Sequence, residues 1–245
     1  MAEKRVALIT GGARGIGRAL AVDLAQAGWD IALCYRTSES DAVSAGTEIE
    51  RHGACAMVVR CDVSDPDAVR SFIDEVGVRL GRIDAVINAA GPYHRAKLLA
   101  ESPDGWRSMF ANNLDPVFFT ARYAAPGMIE RRWGRIISFS MANADRVTAN
   151  TAVTAHFIAK MGVNALTRAL AKELAPHGVT ANCISPGFIN SKSAPAEELE
   201  KMTKRIPAGS VGTIEDVVAA ARYFLSDEAA YVTGANLVVS GGWGL

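Results

Sequence analysis

The sequence has few cysteines, no excess of either charge and no long hydrophobic run, and each of these features excludes a class of protein. Its four cysteines, at positions 34, 55, 61 and 183, form no Cys-x-x-Cys pair, which argues against a disulfide framework and against a zinc site. The 26 basic and 26 acidic residues balance, so no nucleic-acid or anionic-membrane partner is indicated. No apolar run is long enough to span a bilayer, and no signal-peptide core precedes the first predicted strand. We therefore expect a soluble, cytoplasmic protein without a metal site.

The apolar residues, 49% of the 245-residue chain, fall in short strand-like runs that alternate with helical patterns. Runs as apolar as these are typical of strands buried on both faces, as in a parallel sheet. There is no internal repeat, low-complexity tract or linker, so we predict one doubly wound, Rossmann-type α/β domain over residues 1–245. The seven predicted strands are residues 6–9, 31–35, 56–61, 85–87, 135–139, 180–184 and 236–239.

A glycine-rich loop, residues 10–17 (TGGARGIG), joins the first predicted strand to a helical pattern. Gly11 permits a tight turn, Gly15 lets a pyrophosphate approach the backbone, and Gly17 lets the helix pack closely on the strand. The N-terminus of the helix directs free N–H groups at the phosphates. An ordinary turn is the alternative, but the strand-loop-helix context favours a dinucleotide site.

The residues after the second predicted strand indicate which dinucleotide is preferred. An NAD site usually has an acidic residue there to bind the ribose 2′-hydroxyl, whereas this chain has Arg36, followed by Thr37 and Ser38. Arg14 lies in the glycine loop itself, so two guanidinium groups can bracket a 2′-phosphate. Both could instead be solvated surface arginines, but their agreement favours NADP(H).

Several motifs follow in order along the chain, and together they resemble one family. They are the glycine loop, Asp62-Val63, residues 88–91 (NAAG), Asn113-Leu114 and Pro186-Gly187. At this spacing the sequence resembles the short-chain dehydrogenase/reductase family, and within it the 3-oxoacyl-carrier-protein reductase group. The resemblance implies a seven-stranded parallel sheet, a nicotinamide cofactor and a homotetramer. The dinucleotide contacts it implies, together with those predicted above, are Gly11, Arg14, Gly15, Ile16, Gly17, Arg36, Asp62, Val63, Asn88, Ala89, Ala90, Gly91, Lys160, Pro186, Gly187 and Ile189.

The catalytic stretch departs from the family pattern, which uses Asn, Ser and a Tyr-x-x-x-Lys pair. Asn113 and Lys160 match the Asn and the Lys, but His156 stands where the Tyr is expected. Spacing of four on a helix places His156 and Lys160 on one face. Imidazole can donate a proton, yet the neighbouring cation disfavours its protonated form. His156 is therefore a catalytic candidate or a residue that only fills the space of a lost Tyr.

The family's Ser is also missing, and its position is ambiguous. Counting forward from residue 134 places Met141 there, whereas counting back from His156 places Asn143 there, because the intervening loop is two residues longer than usual. Strand alternation directs Ser138 and Ser140 away from the face of Met141. Asn143 is then the better candidate to polarise a carbonyl. Tyr93, in the loop after the fourth predicted strand, is a candidate substrate contact or a tyrosine packed on the rim.

These residues predict an NADPH-dependent reductase that transfers hydride to a carbonyl or a related polarised double bond of a small molecule. The alternatives are a reductase of C=N bonds in pterins or imines, and an NADP-binding sensor or silent subunit without catalysis. A polar segment over about residues 190–208 has the composition of a mobile lid over the substrate pocket. By resemblance, residues 113–128 and 156–174, together with the C-terminal segment 231–245, would form the contacts of a tetramer with D₂ symmetry.

Overall fold

A parallel β-sheet with helices on both faces forms the centre of the computed structural model, which describes residues 4–190 and 196–244. In chain order the strands are β1 (Val6–Thr10), β2 (Asp30–Tyr35), β3 (Ala56–Arg60), β4 (Ala85–Asn88), β5 (Gly134–Phe139), β6 (Val179–Pro186), β7 (Ile189–Asn190), β8 (Gly212–Thr213) and β9 (Asn236–Val239). Within the described residues, seven of them form one sheet in the order β3-β2-β1-β4-β5-β6-β9, and all its neighbours are parallel. The predicted fold class and the predicted strands are confirmed.

The helices form two layers, one on each face of the sheet. They are α1 (Gly15–Gln26), α2 (Glu39–Arg51), α3 (Pro66–Leu80), α4 (Pro103–Asn113), α5 (Asp115–Arg131), α6 (Thr154–Leu174), α7 (Ala196–Thr203) and α8 (Ile214–Leu225). Helices α1, α2 and α8 bury their apolar residues against one face of the sheet. Helices α3, α5 and α6 cover the other face. Of the helices in the described ranges, none is long and apolar enough to cross a membrane.

Burial explains why the strands have such apolar sequences. Every residue of β1 and of β5 is buried, because helices cover both faces. Arg135 is the one charged residue in these two strands, and it is only 2% exposed. Its guanidinium lies 4.5 Å from the centre of the Trp133 ring and donates to the carbonyl of Ser226. A cation–π contact and a backbone acceptor together compensate a charge that burial would otherwise destabilise.

The strand order reverses at β1, which lies between β2 and β4. In sheets of this topology the loops after neighbouring strands diverge at such a reversal and leave a crevice at the carboxyl ends of the strands. The short pair β7-β8 was not predicted, because two residues per strand are too few to show a periodic pattern. Of the predicted lid, residues 191–195 lie outside the described residues, and α7 forms part of the remainder.

Candidate active site

A cavity of about 390 Å³ opens at the carboxyl ends of β1 to β4, where the topology predicts a crevice. The glycine loop forms one wall, and the loops after β2, β3 and β4 form the others. The predicted dinucleotide residues that line it are Gly11, Arg14, Gly15, Arg36, Asp62, Val63, Ala89, Ala90 and Gly91. Thr37 and Ser38 line it as well.

The glycine loop has the backbone that close approach of a ligand requires. Gly11 has φ +66°, and a Cβ at this position would lie 2.9 Å from the Cα of Ala90. Gly15 has φ +56°, and no atom would lie within 4 Å of its Cβ, so the start of α1 is open. Both conformations favour glycine, and the free N–H groups at this helix N-terminus suit a phosphate.

Seven of the predicted dinucleotide residues do not line this cavity, and for three of them, Ile16, Gly17 and Asn88, the structure shows another role. A Cβ on Gly17 would collide with the carbonyl oxygen of Gly11, so Gly17 serves the close packing of α1 on the loop. Ile16 packs against the core beside α1. Asn88 is buried, where it donates to Ser138 and accepts from Thr120. Asn88 therefore ties β4 to β5 and α5 and does not face the cavity.

Both predicted arginines lie at the cavity wall, and each already has a partner. Arg14 lies 3.6 Å from a carboxylate oxygen of Asp41. Arg36 donates to Oδ1 of Asn112 at 3.0 Å and lies 3.9 Å from a carboxylate oxygen of Asp62. Because exposed ion pairs of this kind contribute only about 0–1 kcal/mol, either guanidinium is free to turn toward an incoming phosphate.

Asn113 and Lys160 lie beneath Gly91, at one end of this cavity. A Cβ on Gly91 would be 2.6 Å from Oδ1 of Asn113 and 3.3 Å from Nζ of Lys160. The Nδ2 of Asn113 donates to the carbonyls of Met109 and Pro92, whereas its buried Oδ1 has no hydrogen-bond partner among the described residues. Lys160 donates to the carbonyl of Phe139 at 2.8 Å. A side chain at position 91 would collide with these two buried polar groups, so their close approach to the cavity wall requires glycine there.

A second cavity, of about 640 Å³, begins at Tyr93, two residues along the chain from Gly91. His156 lies in its wall, together with the predicted nicotinamide contacts Pro186, Gly187 and Ile189. The His156 ring makes an edge-on contact with the ring of Tyr93, with the ring centres 5.1 Å apart. Tyr93 is 57% exposed, so it forms the rim of this cavity.

The surroundings of His156 keep its imidazole neutral. Burial and, to a lesser extent, the charges of Lys160 and His94 lower its pKa to about 4. Its buried Nδ1 has no hydrogen-bond partner in the described parts of the chain. A group with a pKa of about 4 is protonated in about one molecule in a thousand at pH 7. As predicted, the charge of Lys160 lowers the pKa of His156, although burial is the larger cause.

Comparison with known proteins assigns the fold and the motifs to one family. Residues 11–244 match the family described as enoyl-(acyl carrier protein) reductase. The chain belongs to the short-chain dehydrogenase/reductase family. It is 34% identical to the 3-oxoacyl-(acyl-carrier-protein) reductase FabG of Staphylococcus aureus over 96% of both chains. It is also 32% identical to the FabG of Pseudomonas aeruginosa over 97% of this chain and 96% of that one.

Solved structures of this family have the same fold. The acetoin dehydrogenase YohF of Salmonella typhimurium superposes with a TM-score of 0.89 at 28% identity, over 98% of this chain and 96% of that one. A structure described as a putative short-chain alcohol dehydrogenase, from Sinorhizobium meliloti, gives a TM-score of 0.90 at 31% identity, over 98% and 96% of the two chains. The relatives are named as reductases and dehydrogenases of different substrates, which supports an oxidoreductase.

The two positions proposed for the missing family Ser lie in different surroundings. Met141 lines the second cavity with His156, whereas Asn143 does not. Asn143 has φ +71°, and its side chain lies against Gly244 near the C-terminus. The structure therefore does not bring Asn143 to the other candidate residues, which argues against its expected role in polarising a carbonyl.

The neighbouring serines have other hydrogen-bond partners, although Ser140 lines the second cavity together with Met141, contrary to the expectation from strand alternation. Ser138 accepts a hydrogen bond from Asn88. Ser140 reaches the edge of the cavity, but its hydroxyl donates to the carbonyl of Lys160 and accepts from Asn164. Neither hydroxyl replaces the one that this family usually presents to the substrate.

Sequence reasoning missed several residues of the second cavity. Phe188 and Trp243 pack together with ring centres 4.6 Å apart, and both line the cavity. The other unexpected lining residues are Arg95, Asn150, Ala152, Val153, Met202 and Arg205. They come from segments far apart in the sequence, so no local pattern marks them. Asn112, which accepts a hydrogen bond from Arg36 and lines the first cavity, was not among the predicted site residues.

Proposed function

We propose that this protein is an NADPH-dependent reductase that transfers hydride to a carbonyl group of a small molecule. The observation that carries the proposal is the place of Lys160 and Asn113. They lie beneath Gly91, where the cavity of the glycine loop approaches the cavity of His156. Residues that suit a dinucleotide and residues that suit a substrate are thereby brought side by side.

Each residue of this group has a proposed task. When bound, reduced nicotinamide supplies the hydride. Lys160 binds the ribose next to it, because its buried ammonium lies beside Gly91, which lines the cavity of the glycine loop. The pKa of Lys160 is lowered to about 8 by burial, so most molecules still carry the charge at pH 7. Asn113 and the neutral His156 hold a water molecule, and that water is the proposed proton source because a neutral imidazole is a weak acid.

Steady-state oxidation of NADPH tests this function directly. A panel of ketones, 3-oxoacyl thioesters, quinones and pterins should contain at least one substrate whose reduction depends on Lys160. NADPH binding without reduction of any of these compounds would contradict the proposal and favour a sensor or silent subunit.

Reduction of C=N bonds is the second candidate, and the low pKa of His156 favours it. A C=N nitrogen can take its proton from water, so the loss of the family's Tyr matters less than for a carbonyl. Turnover of pterins or imines in the same panel, without turnover of ketones, would support this candidate over the first.

The cofactor preference gives the first prediction. NADPH should bind at least about 10-fold more tightly than NADH, because a charge-assisted hydrogen bond contributes about 1.5–3 kcal/mol. Arg36→Asp should abolish or reverse this preference, because it places a carboxylate beside the 2′-phosphate. Fluorescence titration of both cofactors measures it. Arg70→Asp, on the exposed face of α3, is the matched control, and equal affinities in the wild-type protein would refute the assignment.

Assembly gives the second prediction, a D₂ homotetramer. Phe118 of α5 and Ile158 of α6 are exposed apolar side chains in the helices predicted to pair, and Tyr231 and Leu237 are exposed near the C-terminus. Light scattering should give four times the chain mass of 25.9 kDa. Phe118→Asp should yield smaller species, because it buries a charge in the helix interface. Val78→Asp, an exposed control on α3, should remain tetrameric, and a wild-type monomer would exclude the assembly.

A further inference from the structure

Two arginines from separate segments converge on the second cavity. Arg95 lies in the loop after β4, and Arg205 lies two residues after the end of α7. Both line the cavity near His156. No Asp or Glu is among the lining residues in the described part of the chain, so the cavity wall carries two positive charges without a balancing carboxylate.

Neither guanidinium has a partner among the described residues. No side-chain hydrogen bond or ion pair is formed by Arg95 or by Arg205 there, whereas Arg14 and Arg36 of the first cavity are both paired. Solvated arginines are common on protein surfaces, but these two share one cavity although 110 positions separate them in the sequence. A guanidinium without a partner retains five N–H donors for an anion.

The remainder of the wall is largely apolar. Met141, Val153 and Met202 line it, together with the packed rings of Phe188 and Trp243. Apolar walls favour contact with an apolar part of a ligand, whereas the guanidiniums favour an anionic group. The cavity therefore suits a molecule with an apolar body and one negatively charged group.

We propose that the substrate is a carbonyl compound with a carboxylate, and that Arg95 and Arg205 bind the carboxylate while the carbonyl lies beside His156. This inference rests on the proposed function, since it identifies the substrate class of the same site. Planar carboxylates match the fork of a guanidinium. In the reaction, NADPH and one proton convert the carbonyl to an alcohol, and the carboxylate is unchanged.

The test compares 4-carboxybenzaldehyde with its methyl ester as substrates. The two probes have the same reacting group and differ in charge. We expect kcat/KM for the acid to exceed that for the ester by about 10-fold or more, mainly through KM, since hydrogen bonds to charged groups are worth this much. Added salt should reduce the difference, because both arginines are exposed to solvent.

Matched variants assign the preference to the two arginines. Arg95→Gln and Arg205→Gln should each lower kcat/KM for the acid by about 10-fold and change that for the ester by less than about 2-fold. The double variant should treat acid and ester alike. Arg107→Gln, an exposed residue of α4 paired with Asp104, is the control and should keep the preference. Affinity for NADPH should be unchanged in all four variants.

Calorimetric titration of both probes into the protein saturated with NADP⁺ gives a readout that needs no turnover. Binding of the acid alone, lost in the double variant, supports the anion site even if neither aldehyde is reduced, in which case the proposed function fails separately. Equal turnover of acid and ester in the wild-type protein overturns the inference and leaves the reductase function intact. A loss of NADPH affinity in the arginine variants, or no binding of the acid, also overturns it.

Discussion

The double variant His156→Tyr/Met141→Ser is expected to reduce carbonyl substrates about 100-fold faster than the wild-type protein at pH 7, because a positioned general acid contributes about 10²–10⁴ in rate. His156 and Met141 both line the second cavity. A phenol at position 156 would lie one helical turn from Lys160, whose charge favours proton donation. A hydroxyl at position 141 would give the substrate oxygen a second hydrogen bond.

The wild-type protein lacks an acid of this strength at neutral pH. The pKa of His156 is lowered to about 4 by burial and by the charges of Lys160 and His94. The imidazolium is therefore scarce at pH 7, so wild-type turnover depends on water as the proton source and should not follow the titration of His156. In the double variant, activity should instead fall as the pH rises through the pKa of the new tyrosine.

The single variants separate the two contributions. His156→Tyr alone should raise the rate of carbonyl reduction by about 10-fold or less, since no hydroxyl at position 141 then aligns the substrate. Residues that act as a unit give non-additive effects. The rate gain of the double variant, expressed as a free energy, should therefore exceed the sum of the gains of the two single variants. His156→Tyr/Asn143→Ser is the matched control, because Asn143 lies outside the cavity, and it should match His156→Tyr alone.

Stopped-flow or steady-state rates with NADPH measure these effects. A wild-type rate that rises as the pH falls toward about 4, together with the loss of that rise in His156→Ala, would identify the wild-type imidazole as the acid and contradict this account. A double variant no faster than wild type, although folded and able to bind NADPH, would also contradict it.

Lys160→Met is expected to lower kcat/KM by at least about 100-fold and to weaken NADPH binding, since it removes a buried charge-assisted donor. The Lys160 ammonium donates to the carbonyl of Phe139 and lies beneath Gly91. Methionine has a similar length and is apolar, so burial should leave the fold intact. Thermal melting should verify that the variant is folded.

The same variant has a second readout at His156. The charge of Lys160 lowers the pKa of His156, after burial as the larger cause. Lys160→Met should therefore raise this pKa part of the way toward its ordinary value, as a proton NMR titration of the ring would show. Lys172→Met, an exposed lysine of the same helix, is the control and should change neither rate nor pKa. A Lys160→Met protein with wild-type turnover and NADPH affinity would remove Lys160 from the proposed site.

The fold was predictable because local sequence carries its signals. Strands buried on both faces need largely apolar sequences, and β1, with the sequence VALIT, shows one. The glycine loop was equally predictable, since positive φ at Gly11 and Gly15 restricts those positions to glycine. These requirements act within a few residues, so they can be recognised without any knowledge of tertiary contacts.

Other site residues depend on contacts that the sequence does not record. Counting along the chain gave both Met141 and Asn143, and the sequence analysis preferred Asn143, because the long loop before α6 hides the register. Asn88 belongs to a family motif, yet its side chain turns into the sheet toward Ser138 and Thr120. Which way a side chain points is set by packing across strands and helices.

The sequence by itself determined the doubly wound sheet, the glycine loop and the pairing of His156 with Lys160 on one helical face. Each follows from local periodicity, from backbone sterics or from fixed helical spacing. Only the tertiary structure decided that burial holds His156 neutral and that Arg95 and Arg205 share a cavity. Desolvation and the convergence of distant segments are properties of the packed chain, so they exist only once the chain has folded.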